Sequence, residues 1–80
     1  MEQLNDEFLK SNFKVVEEDD DYFQVEITPI FHLSKLNNEY ELFMVQDDCF
    51  GQEACFYLTS VQTIDDLKAF FKLFKINKEI

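Results

Sequence analysis

Apolar and polar residues alternate most clearly between Phe23 and Leu33. The odd positions there are Phe23, Val25, Ile27, Pro29, Phe31 and Leu33, and the even ones are Gln24, Glu26, Thr28, Ile30 and His32. A period of two with one apolar face is the mark of a half-buried strand. Pro29 has no N–H to give a ladder, so the strand is expected to bend there or to lie at an edge. Residues 13–18, rich in β-branched and aromatic side chains, predict a strand before it. Residues 34–38 read as a turn, residues 39–47 as the third strand and residues 54–61 as the fourth. Gly51 supplies a permissive backbone position in the connection between these last two.

Helical spacing appears at both ends. Leu4, Phe8 and Leu9 predict a short helix over residues 2–10, punctuated by Ser11 and Asn12. Near the C-terminus, Thr63 is a natural N-cap with Asp65 and Asp66 in the first turn, where acids complement the helix dipole. Ile64, Leu67, Phe70, Phe71 and Phe74 then form an apolar stripe opposite Lys68, Lys72 and Lys75. Phe71 and Leu73 widen that stripe and are expected to be core. The predicted fold is α+β, a single compact domain over residues 1–80. It is a four-stranded antiparallel meander with a short N-terminal helix and a C-terminal amphipathic helix packed on one face.

Composition strengthens this picture. Eighty residues make a small domain, and ten Phe and three Tyr supply a rich core. Charge changes it. Seventeen acids stand against seven lysines, with no arginine, for a net charge of −10. Neutralising phosphates requires basic side chains, which speaks against direct binding of nucleic acid or an anionic membrane. A negative field instead attracts basic partners, although charge also serves solubility alone. No apolar run approaches a membrane span or a signal peptide, and a cytoplasmic setting is expected. The lack of Arg and the wealth of Lys, Asn, Phe and Ile suit an AT-rich genome, that of a low-GC bacterium, phage or plasmid.

The acids cluster in two turns. Glu17, Glu18, Asp19, Asp20 and Asp21 form one group, and Asp47, Asp48 and Glu53 form the other. In a four-stranded meander the first and third turns share an end of the sheet, which would gather all eight carboxylates at one pole. Phe50, between Asp48 and Glu53, fits both an interface anchor and a core plug. The function expected from this map is a small acidic inhibitor or adaptor. It would engage the basic, nucleic-acid-binding surface of a partner protein as a nucleic-acid mimic, in the manner of counter-defence or immunity proteins. The alternative is an assembly module that associates, with a second copy for example, through an edge strand or the C-terminal helix. Its acidity would then serve solubility only.

No enzymatic chemistry is expected. His32, the single histidine, falls on the polar face of its strand with no nucleophile or metal partner indicated, and reads as structural. One glycine excludes a phosphate-cradling Gly-rich loop, and no cofactor is expected. EEDDD lacks the alternating ligands and the glycine of an EF-hand loop. Cys49 and Cys55 lack zinc-ligand spacing. Paired across a hairpin they would come within disulfide reach, but a cytosolic setting favours two reduced thiols behaving as small apolar side chains.

Overall fold

A computed structural model describes residues 2–47, 51, 53–78 and 80. Its elements are helix α1 (Asp6–Asn12), strands β1 (Lys14–Asp19), β2 (Tyr22–Glu26), β3 (Phe31–Leu36), β4 (Glu39–Asp47) and β5 (Glu53–Val61), and helix α2 (Ile64–Leu73). The five strands form one antiparallel sheet in the order β1-β2-β3-β4-β5. This is the expected α+β meander, with one strand more than the alternation suggests.

The extra strand comes from Pro29. The segment 23–33 is a tight hairpin in which Ile27 and Thr28 both donate to the Phe31 carbonyl and Phe31 donates back to Thr28. Pro29 sits second in the four-residue turn Thr28–Phe31, where its fixed φ is favourable and its missing N–H costs nothing. The next hairpin turns on Asn37 and Asn38, both at positive φ (54° and 64°). Asn tolerates this conformation, and a two-residue turn of that hand matches the twist of the flanking strands.

Both helices lie on one face of the sheet. Phe23, Val25, Ile27, Phe31, Leu33, Leu42 and Val61 bury against Leu9, Phe13, Leu67, Phe70 and Phe71. Edge-to-face ring pairs join Phe13, at the end of α1, to Phe71 of α2, and Phe31 of the sheet to Phe70 of α2. α1 begins at Asn5, whose side chain caps Phe8, which is later than the spacing of Leu4 suggests. Residues 2–4 are instead drawn out along the segment before α2. Leu4 donates to Gln62, and Ile64 donates to Glu2. α2 starts in the expected capping box of Thr63 and Asp66. It ends in a Schellman closure, with Ile76 N–H on the Phe71 carbonyl, Lys75 N–H on that of Lys72, and Lys75 at φ 56°. Leu73 falls outside the buried stripe and is 76% exposed, contrary to the sequence expectation. None of the described helices is long and apolar enough to cross a membrane.

Candidate protein-binding face

Splitting one strand into two reverses the geometry expected for the acidic turns. In a five-stranded meander the β1–β2 turn and the β4–β5 connection lie at opposite ends of the sheet. The first group of acids therefore shares its end with the Asn37–Asn38 turn, and Asp47 and Glu53 share theirs with the Pro29 turn. The eight carboxylates do not form one pole. Asp48, Cys49 and Phe50 lie outside the described residues.

The first end is partly neutralised. Glu18 points to the helix side and pairs with Lys10, while Asp6 takes Lys35 Nζ at 2.8 and 3.0 Å and the Tyr40 hydroxyl at 2.7 Å. Asp20 donates its N–H to the Asp19 side chain within the turn. An open hollow of about 390 Å³ mixes Asp6, Glu18, Asp19, Asp20 and Asp21 with those two lysines.

The Asp6 knot was not foreseen, since its members are 29 and 34 residues apart in the chain. Burial works to raise the Asp6 pKa, but the bonds from Lys35 and Tyr40 and the charges of Lys35 and Lys10 outweigh it and hold the carboxyl below its usual range. Tyr40 is pushed well above its usual value by burial and by its bond to Asp6. Stability from Asp6 is thus present above the ordinary carboxylate range, near 3.8, and is lost as pH falls through its lower folded value. Tyr40 acts at the other limit: the unfolded phenol ionises from about pH 10 while the folded one stays protonated, and stability drops as pH climbs beyond that point. Asp6→Ala should cost about 1 kcal/mol at pH 7, given its partly exposed position. In urea titrations Tyr40→Phe should flatten the alkaline loss; an unchanged alkaline limb would refute this role for the hydroxyl.

Among the described residues no helix covers the opposite face of the sheet, and the strand register sets what it displays. Asp19, Tyr22, Leu36 and Glu39 form one cross-strand row; Glu17, Gln24, Ser34, Glu41 and Ser60 form the next. Lys14, Glu26, His32, Phe43 and Tyr57 follow, then Val45 with Cys55, and finally Asp47 with Glu53. Among the described strand residues, seven carboxylates (Glu17, Asp19, Glu26, Glu39, Glu41, Asp47, Glu53) share this face with one cation, Lys14. Glu26, Glu39 and Glu41 were overlooked in the sequence because they sit inside strands, outside the acidic runs; their phase opposite the buried Val25, Leu33 and Leu42 was the available signal.

A hydrogen-bonded chain stiffens the centre of this face. The Tyr22 hydroxyl donates to Gln24 Oε1 at 2.7 Å, and the Gln24 amide meets His32 Nδ1 at 2.5 Å. With Nδ1 as acceptor, the neutral imidazole carries its proton on Nε2, which faces Glu26 Oε1 at 3.9 Å. Gln24, His32 and Ser34 are buried although they lie on the face away from the helices. Burial, and after it the nearby Glu17 carboxylate, raise the pKa of the tyrosine above its ordinary value. His32 is therefore more enclosed than a surface strand position suggests.

At the second end this face opens into a hollow of about 520 Å³ lined by Glu26, Pro29, Ile30, His32, Val45, Gln46, Asp47 and Glu53. Of these, Val45 and His32 are buried and Pro29 and Ile30 are exposed, and the rim carries carboxylates from β2, β4 and β5. Of the sequence-predicted residues, Asp47 and Glu53 belong to it, Glu17 and Asp19 lie on the same face nearer the other end, and Glu18, Asp20 and Asp21 lie apart. Cys55 is a free, exposed thiol on this face. Among the described residues no group of three or more His, Cys, Asp or Glu side chains is arranged to hold a metal ion. No protein-family model, no curated protein and no solved structure matches the chain.

Proposed function

We propose that the protein is a binding module for a basic surface of another protein, and that it engages this surface with the uncovered sheet face. The observation that carries the proposal is the hollow at the second end, where the apolar side chains of Pro29, Ile30 and Val45 stand beside a rim of Glu26, Asp47 and Glu53. A Lys or Arg side chain has that division, an aliphatic stem with a charged head. The stem would lie along these apolar side chains and the head would meet the rim. Glu17, Asp19, Glu39 and Glu41 extend the negative field over the rest of the face, which steers a basic partner in and fixes its orientation.

Surfaces built to hold phosphates present Lys and Arg in such arrays, and rigid carboxylates satisfy the same donors. The partner class favoured is therefore a nucleic-acid-handling protein, with the carboxylates standing where phosphates would. The single acidic pole has no part in this reading.

The test is retention of host proteins on the immobilised chain at low and high salt, with nucleic acid as competitor. The retained proteins should be basic, should elute as salt rises, and should be displaced by DNA or RNA. Reversing Glu26, Asp47 and Glu53 to Lys should weaken retention more than tenfold, whereas reversing Asp19, Asp20 and Asp21 should have a smaller effect. Retention that survives both salt and the reversal of the rim would rule the proposal out.

A further inference from the structure

The two edges of the sheet are unlike. β1 is six residues long, is bulged between Val15 and Glu17, and carries Lys14, Glu17, Glu18 and Asp19. Short length and charges are devices that keep an edge from pairing with another chain; both edges are bulged, and length and charge are what set them apart. β5 is nine residues long and has one charge, Glu53, at its start. Residues 54–64 contain no charged side chain at all, the longest such run in the sequence.

Exposed apolar groups concentrate beside this second edge. Phe56 is 50% and Tyr57 62% exposed on β5, and Leu73 is exposed at the end of α2. Ala69 and Leu73 of α2 share an open hollow of about 370 Å³ with Thr59, Ser60 and Val61 of β5, so the helix runs alongside the strand. An unprotected strand bordered by apolar surface is an association site.

We infer that β5 pairs antiparallel with β5 of a second copy, joining two five-stranded sheets into one. The occupant follows from charge. Each copy carries −10, and the uncovered face, the acidic turns and β1 would all set carboxylate against carboxylate. β5 is where two copies can meet without doing so. Its one irregularity against β4 is the extra residue Leu58, between partners Tyr57 and Thr59, which leaves Glu53–Tyr57 as the regular stretch. Pairing that stretch about a two-fold axis sets Cys55 opposite Cys55, Ala54 opposite Phe56 and Glu53 opposite Tyr57, with no like charges facing. The uncovered faces then run on as one surface twice as wide. This inference does not rest on the basic-partner reading.

Salt separates the two, because screening strengthens association of like-charged copies and weakens binding to a basic partner. Sedimentation equilibrium of the full chain under reducing conditions should show a particle of twice 9.6 kDa, favoured by rising salt. Tyr57→Glu, at a position already exposed, puts a carboxylate opposite Glu53 of the other copy. It should weaken the dimer at least tenfold with the circular dichroism unchanged. Tyr57→Lys should keep the dimer, as should Val16→Glu on the opposite edge, which makes the same change in net charge as Tyr57→Glu. In a Cys49→Ser background, mild oxidation should link two copies through Cys55. A wild-type chain that stays monomeric at about 1 mM in 0.5 M salt, a Tyr57→Glu variant that dimerises as wild type, or a Cys55 that fails to link would overturn the inference.

Discussion

Leu33→Ala should lower stability by about 2–5 kcal/mol, the cost of a methylene deletion that leaves an unfilled cavity. Leu33 lies on β3, the middle strand, between Val25 and Leu42 in the register, and all three are fully buried. Strands on both sides and helices above leave the site little room to collapse. A domain of this size has only about 4–12 kcal/mol in total, and the thermal midpoint should fall by about 10–30 °C. Equilibrium urea unfolding checks the prediction, with the midpoint shifting and the slope preserved. A loss under 1 kcal/mol would mean that the centre of the sheet is not the rigid core described.

Leu33 also shows why alternation in the sequence reveals burial but conceals a strand boundary. Paired residues of β2 and β3 have numbers that add to 58, as in Val25↔Leu33 and Glu26↔His32. An even sum places odd positions of both strands on one face, so the alternation runs through the hairpin without a change of phase. Periodicity reports which side chains point inward and is blind to a turn of this kind. Pro29 was the only local sign of it, and an edge or a bend accounts for a proline equally well. By contrast β3 and β4 pair with an odd sum, as in Leu33↔Leu42, and there the buried set moves from odd to even positions. That hairpin was legible.

The consequence falls on the site. Each added strand inverts the end at which every later turn emerges, so one hidden turn was enough to separate Asp47 and Glu53 from the EEDDD run. Charge clustering in the sequence located the β1–β2 turn at Asp20 and Asp21, while Glu17, Glu18, Asp19, Asp47 and Glu53 fall on strands. It carried no information on their three-dimensional grouping, which depends on strand parity, nor on Glu26 and Glu41, whose acidity is diluted within apolar strands. The knot of Asp6, Lys35 and Tyr40 was beyond reach for a further reason: its members meet only when α1 is laid across the sheet.

The second large effect should come from Phe70. In α2, Phe70 and Leu73 look alike in the sequence, two apolar residues three positions apart, yet the first is 5% exposed and the second 76%. Phe70 sits in an aromatic cluster, its ring centroid 5.4 Å from that of Phe31 and 4.8 Å from that of Phe74. Phe70→Ala should cost about 3–5 kcal/mol, from lost burial together with lost ring contacts. Leu73→Ala should stay within about 0.5 kcal/mol, as exposed substitutions do. The location of the loss matters as well as its size. α2 is anchored chiefly by this stripe and by the Thr63 cap, and hydrogen exchange in Phe70→Ala should accelerate first in α2 and in residues 2–4, which are bonded to the segment that leads into it. Uniform acceleration across β2, β3 and β4 would show instead that helix and sheet unfold as one unit. In that case the uncovered face would depend on the helix behind it, and binding by that face would fall along with the helix.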